Sequence, residues 1–497
     1  MSDMSSSPMS APKPAVDSRY RYIVAIAVPV VLANLAMPLQ SVIDTAIVGH
    51  MPEAANLAGM GLAIQLLTLL LVSFNFLQYA SSGLSAQALG NATREKSTHD
   101  NVSRDNKATN TETLATNSAS TTKPTKPLTP HQLAAPKLLS ILQRALLIAL
   151  AIGAVLLLLK PWVIDVGLQL LAANPASGEA AKTYLDVRLW GVMAELMNFA
   201  FIGWFAGQGR TRYLLYQQSA IAALNIILTL SLVYGANMGL AGVALGTTIA
   251  YWIGFIIAMY LVKGHLQISL RELFTLDRRE FTRDKMLRLF LLNKDIFIRT
   301  IVLTISFAWI TRLSAMSGDL VLAANTILLQ VLTISALALD GVAVAAETLS
   351  GQAAGRRDWE QFRIIIKRTG IVSYGLAAVL TMIWWLGMPY YLPMMTDLPD
   401  VIALAFDYRW YAILLPVIGV GAYWLDGVFF GLTAGHVIRN AALILAVIFF
   451  PLSLLLYGQF GMHGIWLSVC SLLLIRLFIL GIYLTRITLA DQPEQII

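Results

Sequence analysis

From residue 23 to residue 485, apolar stretches of about 20 residues alternate with short polar segments. A helix needs about 20 such residues to cross roughly 30 Å of hydrocarbon. The pattern predicts twelve crossings, at 23–48, 57–82, 138–160, 186–207, 213–234, 240–262, 296–316, 321–348, 364–388, 405–432, 437–457 and 462–485. The fold class is therefore an all-α polytopic membrane protein. Composition agrees, with 57% hydrophobic residues, only 13% charged ones and a mean hydropathy of +0.68. A soluble domain carries roughly 25% charged residues.

Positive charge is distributed unevenly along this map. Arg19 and Arg21, the lysines of 91–129, Arg210, Arg212, the 263–299 stretch, Arg356 to Arg368 and Arg439 fall on one side. The loops 49–56, 235–239, 389–404 and 458–461, on the other side, contain no Lys or Arg. Such a bias follows the positive-inside rule, so both termini are expected in the cytoplasm, with the chain in the plasma (inner) membrane. The net charge of +7 is then topology, and no nucleic-acid partner is expected. Cys470 is the single cysteine, which rules out a disulfide framework and a thiolate metal site. No P-loop, HExxH or nucleophile-elbow motif occurs. An enzyme or an ATP-driven pump is not expected, and neither is a cofactor. Uphill transport would have to draw on an ion gradient.

The chain also repeats itself. LSAQALG (Leu84 to Gly90) returns as LSGQAAG (Leu349 to Gly355) at an offset of 265. FAGQGR (Phe205 to Arg210) resembles FGLTAGH (Phe430 to His436), with Gly209 opposite Gly435 at an offset of 226. YGANMGLAG (Tyr234 to Gly242) resembles YGQFGMHG (Tyr457 to Gly464). Two six-helix bundles in parallel orientation are predicted, as transporters often show. They span 23–262 and 296–485, joined by a cytoplasmic connector at 263–295 and flanked by a disordered N-terminus (1–22) and a cytoplasmic tail (486–497). The falling offset places about 39 extra residues in the first half. Segment 91–129, dense in Asn, Ser, Thr and Lys, supplies them and reads as a disordered insertion.

Ionisable groups within hydrocarbon cost about 2.5–3.5 kcal/mol at mid-span on insertion scales, so they are kept where they face a cavity or a partner. Three groups stand out. On the first span, Asn34, Ser41, Asp44 and Thr45 are expected to share a face, with Pro29 and Pro38 interrupting the helix on the way. Asp44 either marks a helix end touching water or is a carboxylate held for proton or ion chemistry. In spans 4 to 6, Asn198, Asn225, Thr229, Thr247 and Thr248 are packing groups or part of the same cavity. In the second half, Thr333, Asp340 and Glu347 recur every seven residues, and Asp426 follows Tyr423 on span 10. Arg299 and Arg312 are placed to neutralise two of these acids. Glu347 is expected at the cytoplasmic interface. A structural ion-pair network and an ion site both fit this third group.

The two halves, the span-1 acid and the repeated LSxQAxG resemble the MATE (multidrug and toxic-compound extrusion) family. ALDGVAVAAETLSGQAAG (Ala338 to Gly355), NKDIFIRT (Asn293 to Thr300) and LDGVFFG (Leu425 to Gly431) are similar to its DinF-like branch. The resemblance implies V-shaped lobes around a central cavity, alternating access, and exchange of H⁺ or Na⁺ for small amphipathic or cationic compounds. It implies that Asp44 takes up the coupling cation, with Asn225 and Thr247 in the same cavity. Many relatives carry an aspartate one turn after the Asn225 position, where this chain has Thr229. Asp44 is left as the clear acid of that lobe, which favours H⁺. The alternative Na⁺ site is at Asp44 or at Asp340 and Asp426, and no other metal is expected. A lipid-linked oligosaccharide flippase of the wider superfamily is the alternative function. Expected partners are the small substrates and the lipid bilayer, with the protein a monomer.

Removing residues 95–128 should leave membrane insertion and efflux close to those of the parent chain, because the second half manages without a counterpart. Yield in the membrane fraction and efflux of a fluorescent substrate check this, and a variant that inserts poorly would mark the segment as structural.

Overall fold

The computed structural model describes residues 19–51, 54–110, 129–170, 175–275 and 282–489. Twelve helical segments among them are long and apolar enough to cross a membrane. The first lobe contains α1 (Tyr20–Gly49), α2 (Ala54–Val72), α3 (Phe76–Asn110), α4 (Pro130–Leu158) and α5 (Lys160–Leu170). It continues with α6 (Pro175–Arg188), α7 (Val192–Gly207), α8 (Thr211–Leu230) and α9 (Gly239–Leu266). The short α10 (Leu270–Phe274) lies in the connector. The second lobe comprises α11 (Arg283–Met316), α12 (Asp319–Arg356), α13 (Trp359–Met395), α14 (Pro399–Gly431), α15 (Gly435–Phe460) and α16 (Met462–Leu489).

Two crossings of the first lobe are broken helices. A turn at Ser73–Asn75 separates α2 from α3, and a 3₁₀ turn at Leu189–Gly191 separates α6 from α7. Neither Pro29 nor Pro38 ends α1. The missing amide bond at each proline costs less than exposing a whole turn of backbone to hydrocarbon.

Three expected boundaries are corrected. Segment 91–129 is not disordered throughout: α3 runs through residues 91–110, and Thr129 caps α4 with a reciprocal Thr129–Gln132 capping box. A helix already nucleated in the membrane extends one backbone bond per residue, so a polar sequence can continue it without burying a core. The rest of the segment, 111–128, lies outside the described residues. Helix α1 begins at Tyr20, inside the stretch expected to be a disordered N-terminus, whose first 18 residues lie outside the described ones. The connector is shortened from both sides, by α9 reaching Leu266 and α11 beginning at Arg283.

The repeated motif is where the lobes cross. A Cβ on Gly90 would lie 2.2 Å from the carbonyl oxygen of Gln352, and one on Gly355 would lie 2.2 Å from that of Gln87. These four residues are equivalent under the 265-residue offset, so the contact is reciprocal, α3 on α12. Gln87 Nε2 also donates to the Gly431 carbonyl (3.2 Å) and to Thr433 Oγ1 (3.1 Å). Within each lobe the same device recurs: Gly207 sits on the Ser82 carbonyl, and Gly431 on that of Glu347. Further contacts join Gly341 of α12 to Ala27 and Val31 of α1, and Thr348 Oγ1 to the Ala206 carbonyl (2.7 Å). These contacts use α1 before residue 35 and α12 after residue 336. Towards the other end Ser41, Val42 and Thr333 are exposed, while Asp340 is half-buried and Glu347 buried. The lobes are therefore held together at the end bearing the N-terminus of α1.

Gly90→Ala and Gly355→Ala should each destabilise the protein by about 1–3 kcal/mol through overpacking, and by similar amounts because the positions are equivalent. Thermal unfolding midpoints in detergent measure both. A loss at one position alone would show that the joint is not reciprocal.

Candidate functional site

Asp44 lies on α1 beyond the inter-lobe contacts, where α1 packs against α8. Its side chain is buried at 4% exposure. Thr229 and Asn225 of α8, both fully buried, surround its carboxyl together with Gln40 of α1. Yet Asp44 Oδ1, Thr229 Oγ1 and Asn225 Oδ1 complete no hydrogen bond of good geometry. A carboxylate oxygen buried without a donor is costly, so this group is held for something other than stability. Asn225 Nδ2 donates to Thr247 Oγ1 of α9 (2.7 Å), and that hydroxyl donates to the Val243 carbonyl (3.1 Å). Asp44, Asn225, Thr229 and Thr247 thus form one cluster within the first lobe.

Behind this cluster lie groups that sequence reading missed. Tyr184 of α6 stands beside Thr247. Arg188 pairs with Glu195 at 2.5 Å, both buried, and its guanidinium lies 4.8 Å above the Tyr251 ring. The only clue in the sequence was two opposite charges seven residues apart inside the span predicted at 186–207. The 3₁₀ turn between them reorients the two side chains, which a straight-helix reading does not anticipate.

The other expected members are elsewhere. Asn198 donates to the Tyr251 carbonyl (3.0 Å) and accepts from Gln217 Nε2 (2.7 Å), which uses it in packing. Thr248 contacts the Val187 carbonyl at 3.3 Å. Asn34 donates to the Leu337 carbonyl of α12 (3.1 Å) and so joins the lobes instead of facing Asp44. Ser41 and Thr45 are exposed, with Thr45 Oγ1 on the Ser41 carbonyl. The shared face expected on α1 does not form, because ten residues from Asn34 place Asp44 roughly 80° around a helix of 3.6 residues per turn.

In the second lobe Asp426 takes two cations, Arg299 of α11 and Arg476 of α16. Arg476 was not anticipated. Arg299 also lies 5.2 Å from the Phe430 ring, which stacks on Tyr79 of α3 at 4.2 Å, so this ion cluster leans on the first lobe. Asp340 sits in the field of both arginines but makes no ion pair with either. The single network expected of Arg299, Asp340 and Asp426 is therefore a closed Arg–Asp–Arg triad with Asp340 beside it. Glu347 is not interfacial. It is 2% exposed, beside Ser82 of α3, with Oε1 unpartnered. Ser82 is its equivalent under the repeat, so the two face one another across the joint. Arg312 neutralises no acid: it is exposed and lies over the Trp309 ring at 5.7 Å. Thr333 is exposed and bonds its own helix. Among the described residues no cluster of three or more His, Cys, Asp and Glu suits a metal ion.

A model of the MatE family matches residues 29–99, 136–231 and 296–456. The chain belongs to the MatE family. It is 31% identical over 458 residues to the DNA damage-inducible protein F of Escherichia coli, covering 91% of this chain and 89% of that protein. The probable multidrug resistance protein NorM of Agrobacterium fabrum is 25% identical over 343 residues, covering 62% and 70% respectively. A crystal structure of a MATE protein in the bent conformation superposes with a TM-score of 0.75 over 96% of both chains at 16% identity. These likenesses and the twelve apolar helices make the chain a multi-pass MATE membrane protein with two six-helix lobes.

A buried and an exposed charge of this MatE chain should respond differently to mutation. Asp426→Asn leaves Arg299 and Arg476 buried together without a carboxylate and should cost about 3–5 kcal/mol. Arg312→Gln should be within about 0.5 kcal/mol of the parent, as an exposed side chain. Thermal unfolding in detergent compares them, and an Asp426→Asn protein as stable as the parent would refute the triad's structural role.

Proposed function

We propose that the protein is a secondary active antiporter that exports amphipathic or cationic compounds in exchange for H⁺, with Asp44 as the coupling acid. The observation that carries this reading is the uncompensated Asp44 carboxyl, buried against Asn225 and Thr229 inside a membrane crossing. Arg188 is already committed to Glu195, so the charge on Asp44 depends on what the cavity holds. Ionised, it attracts a cation. Protonated, it loses that attraction and tolerates burial, which lets α1 move against α8. The name of the NorM relative, a probable multidrug resistance protein, supports the substrate class. The absence of a nucleotide-binding motif supports an ion gradient as the energy source.

With both termini in the cytoplasm, as the charge bias favours, the inter-lobe joint closes the cytoplasmic end and the cleft opens outward. Alternating access then requires the Gly90–Gln352 and Gly355–Gln87 crossings to separate. Glu347, buried at the joint with a free Oε1, adds a second carboxyl whose ionisation would favour that separation. A Na⁺-coupled reading has its own support. Asp44 Oδ1, Thr229 Oγ1 and Asn225 Oδ1 are three buried oxygens of the kind a hard cation takes.

Asp44→Asn keeps the side chain's size and one oxygen but cannot exchange a proton. Proteoliposomes given a pH or a Na⁺ gradient in turn should show efflux driven by the pH gradient in the parent and none in the variant, at equal expression. Efflux at the parent rate by Asp44→Asn would end this mechanism, and drive by Na⁺ alone would reassign the ion.

A further inference from the structure

A fissure runs between α4 of the first lobe and α11 of the second, and two cavities open along it. The first holds about 790 Å³ and is lined by Lys137, Arg144, Gln143, Asn91, Asp295 and His436, among others. Its one carboxylate is spoken for, because Asp295 pairs with Arg439 at 2.8 Å. The chamber is thus polar and net basic. The second cavity holds about 600 Å³, with Phe76, Ile148, Ile152, Leu287 and Phe297 as its apolar walls. Arg283, Lys294 and Asn293 are also in its lining, which among the described residues includes no acidic one. Both volumes fall in the range of roughly 300–1,000 Å³ seen for ligand sites.

The two cavities abut. On α4 the chamber ends at Arg144 and the trough begins at Ile148, one turn later, while on α11 they share the stretch 291–297. A basic polar compartment joined to a largely apolar one, at the seam between the lobes of a membrane protein, has the zoning of a single amphiphile. The polar end of the amphiphile is then anionic, since Lys137 and Arg144 line the chamber and Asp295, the one acid among its described lining residues, is paired with Arg439. A cationic export substrate is therefore disfavoured here, and this site is distinct from the cluster at Asp44.

We propose that the α4–α11 fissure binds an anionic phospholipid, its phosphate in the chamber beside Lys137 and Arg144 and an acyl chain in the trough against Ile148, Ile152 and Phe297. Basic pockets between transmembrane helices are suited to such headgroups, each cation adding attraction that falls off within a Debye length. A lipid seated there touches both lobes, so its occupancy depends on how far they are apart.

Native mass spectrometry of the purified full chain tests this with phosphatidylglycerol and phosphatidylcholine of identical acyl chains. Phosphatidylglycerol should be retained at least about tenfold more tightly. The Lys137→Gln variant, at an exposed position lining the chamber, should lose roughly 5-fold of that affinity, and Lys137→Arg should retain it. Ile152→Trp, which fills the trough, should weaken retention of both lipids at this site. Glycerol phosphate should not compete at concentrations matching the lipid. Equal retention of the two lipids would overturn the proposal, as would undiminished preference in Lys137→Gln. Full competition by glycerol phosphate would make the chamber a site for free phosphate instead of a lipid.

Discussion

Charge inside hydrocarbon must be neutralised, hydrated or put to use, and this protein's architecture follows from how that constraint is met. Two of its buried clusters are closed. Arg188 answers Glu195, and Asp426 is shared by Arg299 and Arg476. Each closed cluster is fixed within one lobe, where a buried pair holds geometry even though desolvation offsets most of its attraction. Two carboxyls, Asp44 and Glu347, each keep an oxygen without a hydrogen-bond partner. One lies in the heart of the first lobe and the other at the joint between lobes. The division separates charges compensated by a partner from carboxyls left without one.

The protein's class was legible from hydrophobic periodicity alone, because crossing a bilayer imposes a run length that no other constraint mimics. The twofold plan was legible from LSAQALG and LSGQAAG. The sequence could not say that these two copies press on one another: identity of motif does not reveal which backbone meets which. Asp44, Asn225, Thr229 and Thr247 were legible as a group because Asn225 and Thr229 are one helical turn apart and few polar residues compete in those spans. Asn34, Ser41 and Thr45 misled because rough spacing conceals the rotation that separates them from Asp44. Arg188, Glu195 and Arg476 went unread for a related reason. Each sits near a helix break or in an otherwise apolar run, and partners contributed by distant helices leave no trace in local spacing.

The polar extension of α3 makes a similar point about composition. Asn, Ser, Thr and Lys favour solvent over a core, yet a helix satisfies its own backbone and needs only a nucleus to grow from. Low complexity said little about this local geometry.

The reciprocal joint has a consequence for the speed of lobe movement. Its closest approaches are carbonyl oxygens resting on glycines, flanked by the Tyr79–Phe430 stack and the Gln87 amide. Separating such surfaces releases little trapped rotamer freedom, and re-forming them demands little ordering, since a glycine has no side-chain rotamer to lose. A hinge built of leucines or arginines would have to sort many χ angles at every closure. At these glycine crossings the entropic toll of parting and re-forming is small in both directions, so the ordering demanded by any closure falls on the side chains that flank them.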